Sequence, residues 1–272
     1  MKKKLTALFA FALALMLVCA LAAAEIAVDK KDLSQNRDLD KSVNNVLFLL
    51  QDGDVTSTIM LASINSKTGR SVMTSFDPDM MTPVEGAGDV ELGSVYALAA
   101  EKSEGLLVAK TLNAALSLNI TSYIVLDVTR LPELVSAVGD VNIWLTEDEA
   151  AGMGLVEGDN YLNGEQALAY VRMKLDVDTP DVNRGYETLM QLLRQAMGGG
   201  NVMNLVSLGT KLLSSMDTNL GAMNAMTLFS AVQGGSDRRE IVLPLDEQIT
   251  AQNPLTADFE AMRQTLYAEI YE

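Results

Sequence analysis

LNGEQALAYVRMK, residues 162–174, is the stretch on which the reading of this chain turns. Asn163 can cap a helix by accepting from the free backbone N–H groups two or three residues on, and Gln166 completes a capping box with it. Helical spacing then sets Ala167, Leu168, Tyr170 and Val171 against a core and leaves Arg172 and Lys174 near the helix end. Asp181 and Arg184 follow closely. Four charged groups so near one another, in a chain with no histidine and one cysteine, point toward phosphate chemistry. Two plainer readings stay open. Arg172 and Lys174 would complement a helix dipole in solvent, and Asp181 with Arg184 would form an i,i+3 pair opening the next helix.

Outside this stretch, 272 residues of which 49% are hydrophobic and 21% charged can bury one large core or two modest ones. The absence of histidine excludes Ser-His-Asp and Cys-His catalysis and His-ligated zinc. Carboxylate, Arg/Lys, hydroxyl and hard-cation chemistry remain. Residues 1–24 read as a targeting segment: Lys2, Lys3 and Lys4 give a positive start, residues 5–21 are apolar, and Ala22, Ala23 and Ala24 offer a cleavage site before Glu25. The apolar run, about 17 to 20 residues, is also long enough to remain as an uncleaved membrane anchor. Val18 before Cys19 is a poor fit to lipoprotein processing. The expected address is extracytoplasmic, either secreted or anchored at the outer face of the cytoplasmic membrane. Losing three lysines with the leader takes the formal charge from −16 to −19, which makes nucleic acid and anionic membrane surfaces poor partners. Cys19 leaves with the leader, so the mature chain forms no disulfide.

Residues 25–41 are polar and read as a tether, with one domain following over 42–272. Residues 43–50 and 58–64 read as strands, and 71–76 as a third that makes a hairpin with the second. Helical spacing covers 92–100 and 105–116, a strand 123–128, a helix opened by Pro132 over 131–138, and a strand 141–145. An amphipathic helix over 184–197 stops at Gly198, Gly199 and Gly200, and helical stretches continue through 205–232. A last strand over 240–245 and a closing helix over 256–271 complete the chain. Strands interleaved with helices, with an early hairpin, predict an α/β (α+β) single domain: a mixed sheet flanked by helices on both faces.

The order of these segments resembles the LytR-CpsA-Psr family, extracytoplasmic bacterial proteins that transfer glycopolymers from a polyprenyl pyrophosphate carrier to peptidoglycan. The residues that carry the resemblance are Asn45–Leu50 leading to Asp52, the run from Thr58 to Asn65, LNGEQALAYVRMK, Asp181 with Arg184, Thr218-Asn219-Leu220 and the terminal helix. LNGEQALAYVR is the most specific of them. The resemblance implies that Arg172, Lys174 and Asp79 bind substrate, that Asp181 and Arg184 stand at the reacting centre, and that Asp52 is a ligand to Mg²⁺. It also implies polyprenyl (pyro)phosphate-linked glycan and peptidoglycan as partners. Guanidinium groups pairing with pyrophosphate oxygens, a metal ion neutralising the leaving group and a carboxylate deprotonating a sugar hydroxyl fit that chemistry. A plain turn is the simpler reading of Asp52 and Asp54 around Gly53.

The chain also departs from the family pattern. Val55, Thr56 and Ser57 stand where the family carries an Arg, a small residue and an Asp. Pro78 replaces an Arg within Asp77-Pro78-Asp79, Glu91 replaces a Lys, and Gly185, Tyr186 and Glu187 stand where Gln and Arg usually follow. These changes remove positive charge a pyrophosphate would use. They leave three readings open: a glycopolymer transferase, a noncatalytic module that binds polyprenyl lipid or wall polymer through a degenerate site, and a secreted acidic scaffold with no small ligand.

Overall fold

The structure, a computed structural model, describes residues 25–33, 36, 39–173, 184–198, 216–220 and 237–271. Its centre is a six-stranded sheet. β1 (Val43–Asp52), β2 (Val55–Asn65) and β3 (Arg70–Phe76) form an antiparallel meander; β6 (Ile120–Asp127) joins β1 and β10 (Asp237–Leu243) joins β3, both in parallel, and β9 (Asp217–Thr218) closes one edge against β6. The sheet is mixed, as predicted. Smaller ribbons pair β4 (Met81–Val84) with β5 (Gly88–Glu91), β7 (Val141–Leu145) with β8 (Gly158–Leu162), and β11 (Ile249–Gln252) with β12 (Leu255–Ala257).

Both sheet faces are covered, which explains why β1 is a continuous apolar run rather than an alternating one. Leu47 and Leu49 point into one core with Ile59, Leu61, Phe76, α1 (Glu104–Leu116) and α6 (Phe259–Tyr271). Leu50 points into the other, with Leu126, α2 (Leu131–Val138), α3 (Glu147–Met153), α4 (Gly164–Val171) and α5 (Arg184–Gly198). Among the described residues no helix is long and apolar enough to cross a membrane.

Several boundaries differ from expectation. The helix expected over 92–100 is two 3-10 turns, Leu92–Ser94 and Tyr96–Leu98, closed by bonds from Val95 N–H to Leu92 O and from Ala99 N–H to Tyr96 O, while the free first-turn N–H of Gly93 donates to Pro78 O at 2.7 Å. Within the expected helical run 205–232 only 216–220 are described, and there Asp217–Thr218 pairs with Val125 and Ile124 as a strand. The strand expected to be last is followed by the β11–β12 ribbon, and α6 starts later than expected because the Asp258 carboxylate accepts from the N–H groups of Glu260 and Ala261. The expected tether is packed in part. Val28 and Leu33 are buried, the backbone of Ile26 pairs with Leu98 and Ala100, and Ser103 Oγ both donates to and accepts from Val28.

The glycine of LNGEQALAYVR has a packing reason. Gly164 opens α4 directly on the first turn of α2, where a Cβ would lie 2.4 Å from Pro132 Cα and 2.8 Å from Pro132 O. A backbone neighbour cannot swing aside, so α4 comes this close only with glycine. Gly164→Ala should destabilise the fold by about 1–3 kcal/mol, read as a lower urea midpoint at unchanged m-value.

Candidate functional site

The site lies where the C-terminal end of β1, the end of α4 and the start of α5 converge. α4 begins as predicted: Asn163 Oδ1 accepts from Gln166 N at 3.0 Å and Gln166 Oε1 accepts from Asn163 N at 3.1 Å. Tyr170 and Ala167 are buried on its inner side, and the helix ends at Arg172, its C-cap. Between Leu50 and Gln51 the β1–β2 register slips so that Ser57 has no partner on β1, a bulge at the rim of the sheet. Beyond it Thr56 Oγ1 donates to Gln51 Oε1 at 2.7 Å and Ser57 Oγ donates to Leu50 O at 3.2 Å.

Arg172 reaches across to Asp52 as a bidentate fork, Nε to Oδ2 at 2.8 Å and Nη2 to Oδ1 at 2.6 Å. The guanidinium holds the Asp52 carboxyl below its usual range, chiefly by hydrogen bonding. Both side chains are open to solvent, and such a pair adds little net stability, so an incoming anion can exchange for Asp52 on Arg172.

Arg184 is held differently. Its Nε donates to Glu149 Oε1 at 2.8 Å, Nη1 lies 3.5 Å from Met173 O, and the guanidinium carbon sits 5.9 Å from the Tyr170 ring centroid. Glu149 is only 1% exposed, and its other oxygen caps α3 by accepting from Thr146 N at 3.0 Å and Thr146 Oγ1 at 3.1 Å. A carboxylate this deep needs a cation beside it. Removing one partner of a buried pair costs about 3–5 kcal/mol, so Arg184 is fixed by a stability requirement as well as by geometry.

Tyr170 Oη donates to Glu187 Oε2 at 2.8 Å. Burial pushes the Glu187 carboxyl above its ordinary range, with Glu149 adding to the rise and the Tyr170 hydrogen bond opposing it. Burial also pushes the Tyr170 phenol up. At position 185 glycine lets the first turn of α5 rest on the sheet: a Cβ would fall 1.8 Å from Thr58 Oγ1 and 2.9 Å from Leu50 Cδ2.

Of the residues singled out from the sequence, Arg172, Arg184 and Asp52 are brought together around the α4–α5 junction. Lys174 and Asp181 lie outside the described residues. Asp79 is exposed in the turn after β3, where its N–H donates to Asp77 Oδ1. The donor set does not fit a divalent cation among the described residues. Asp52 is taken up by Arg172, the Thr56 and Ser57 hydroxyls by Gln51 and Leu50 O, and no group of three or more acidic residues gathers there. Glu149 and Glu187 were not anticipated. Thr146-Glu147-Asp148-Glu149 is a capping box readable from sequence, but nothing in it says that the spare carboxylate oxygen meets an arginine 35 positions on. A cavity of about 410 Å³ lined by Asn36, Ser117, Arg263, Gln264 and Tyr267 sits at the opposite end of the sheet.

Comparison with known proteins places this geometry among related chains. The family model described as the LytR_cpsA_psr family matches residues 21–265. Biofilm regulatory protein A of Streptococcus mutans is 28% identical over 184 residues, 61% of this chain and 43% of that protein. The polyisoprenyl-teichoic acid–peptidoglycan teichoic acid transferase TagU of Oceanobacillus iheyensis is 25% identical over 189 residues, 66% of this chain and 59% of that protein. The chain thus spans about half the length of these relatives. Among solved structures, TagT bound to LI-WTA superposes with a TM-score of 0.68 at 19% identity, covering 92% of this chain and 98% of that one. The YwtF (TagT) structure with bound octaprenyl pyrophosphate lipid gives 0.66 at 19% identity over the same shares. At that identity the superpositions establish the fold.

The buried acid yields a pH prediction. Folded Glu187 holds its proton more tightly than the unfolded chain does, so its contribution to stability is complete below the ordinary value near 4.5 and is lost as pH rises through the folded value. Glu187→Gln, compared with the parent by urea unfolding from acid to neutral pH, should gain relative stability as pH rises across that window and level off above it.

Proposed function

The chain belongs to the LytR-CpsA-Psr family, and on that premise we propose that it binds a polyprenyl pyrophosphate-linked glycan at the α4–α5 junction and transfers the glycan to a wall acceptor outside the cytoplasm. The observation that carries this reading is the pairing of two guanidinium groups of opposite character. Arg184 is fixed by buried Glu149, and Arg172 is held by an exposed, exchangeable partner. A pyrophosphate can displace Asp52 from Arg172 and meet the outer N–H groups of Arg184 without disturbing the buried pair. The acceptor hydroxyl would attack the phosphorus that bears the glycan, the P–O–P bridge would break so that the glycan moves with its own phosphate, and the fixed guanidinium would stabilise charge on the polyprenyl phosphate that leaves. Asp181, near the start of α5 in sequence, would take the proton of the attacking hydroxyl, and Lys174 would add a third cation. A relative named as a teichoic acid transferase supports the substrate class, and the leader-like sequence of residues 1–24 supports the extracytoplasmic address.

A second reading, a noncatalytic holder of the same lipid-linked polymer, is favoured by the charge around the junction. Each arginine already faces a carboxylate, and Glu187 adds another behind Tyr170. No step is routed through Mg²⁺, since the described donors do not assemble a site for it.

Binding of a polyprenyl pyrophosphate to the full chain, measured with and without Mg²⁺, tests the shared part of both readings. Arg184→Ala should weaken it about tenfold or more, the value of one charge-assisted phosphate contact. Adding Glu149→Gln to that variant removes the unpaired buried carboxylate and keeps the comparison within folded protein. Absence of binding by the parent would discard both readings. Turnover with carrier-linked glycan and a peptidoglycan acceptor distinguishes enzyme from holder.

A further inference from the structure

The β7–β8 ribbon has an outer face that the phosphate site does not use. Its strands alternate strictly: Val141, Ile143, Leu145 and Leu162 are buried, whereas Trp144 is 53% and Tyr161 is 70% exposed. The register sets Trp144 opposite Asp159 and Asn142 opposite Tyr161. Trp144 and Tyr161 are therefore diagonal neighbours on one face, about 7–8 Å apart along the backbone. Trp144 is the only tryptophan of the chain. A ring left in water at a position whose neighbours in the alternation are polar forgoes the burial that usually justifies it. Paired exposed aromatic rings on a rigid ribbon are instead the means by which a protein offers a large contact area at little entropic cost.

The charge around the rings selects the partner. No lysine or arginine occurs anywhere from Leu131 to Val171, the span that builds α2, β7, α3, β8 and α4. Asp159 stands exposed beside Trp144, with Glu157 in the turn and Glu147 and Asp148 at the start of α3 also exposed. Such a surface repels anionic polymers and anionic bilayers. Its aromatic faces, edged by carboxylate acceptors, match a ligand with apolar C–H faces and outward hydroxyl and amide donors. That description fits an uncharged pyranose chain. The face is also continuous with the candidate site: β8 passes through Leu162 and Asn163 into α4, which ends at Arg172.

We propose that Trp144 and Tyr161 form a platform on which an uncharged glycan strand stacks, a binding site separate from the arginine pair. The inference rests on ring exposure, register and charge, and it holds whether or not the α4–α5 junction binds pyrophosphate.

The lone tryptophan makes the test direct, because its emission reports this face and nothing else. Chitohexaose titrated into the full chain should change Trp144 emission saturably. Tyr161→Ala should weaken that binding by roughly fivefold to tenfold, the worth of one aromatic contact. Trp144→Ala should abolish retention on a chitin column, and Trp144→Phe should keep most of it. Three results would each overturn the proposal: emission indifferent to the sugar, emission that follows protein concentration without sugar and so reports a second copy, or a response confined to phosphatidylglycerol vesicles.

Discussion

A single buried carboxylate organises the functional half of this molecule. Glu149 is buried, and Arg184 is the cation that reaches it. One of its oxygens fixes the start of α3 through Thr146 while the other fixes the first residue of α5. The connection from Arg172 to Arg184 therefore has both ends set: α4 by its glycine contact on α2, and α5 by an ion pair with a neighbouring helix and a glycine contact on β2. Tyr170, buried between them, supplies the ring beside the guanidinium and a hydroxyl to Glu187.

That arrangement gives the two arginines different physical roles. An arginine whose Nε is occupied by a buried acid keeps its outer N–H edge in a fixed direction. Arg172, paired in solvent, can change partners at little cost. The same carboxylates lower the positive potential of the junction relative to one built from unopposed bases. Ser57, in the β-bulge, spends its hydroxyl on a backbone carbonyl.

The same base-free span that weakens the field for phosphate also carries the exposed ring pair on β7–β8. If lipid-linked phosphate is seated at the end of α4 and a neutral glycan lies along the ribbon that leads into it, one continuous strand-to-helix unit presents both. Continuity of backbone, rather than a shared cavity, would then relate the two.

The fold was largely legible because its strongest signals are local and periodic. The apolar run of β1, the hairpin of β2 and β3, Pro132 at the start of α2 and the Asn163–Gln166 capping box each announce their element without outside help. Short ribbons and 3-10 turns were missed because they are held by contacts distant in sequence: Gly93 by Pro78, and Ile26 by Leu98 and Ala100. In the site, Arg172 and Arg184 stood out by their place in and after LNGEQALAYVRMK, whereas Asp52 was singled out only through the family resemblance, as a metal ligand. Sequence alone could not say that Asp52 would close on Arg172 or that Glu149 would hold Arg184, since those pairs join residues 120 and 35 positions apart. Local spacing determines which helix a charge rides on. Which opposite charge it meets is decided only when packing brings separate elements together and burial makes an unpaired charge too costly to leave.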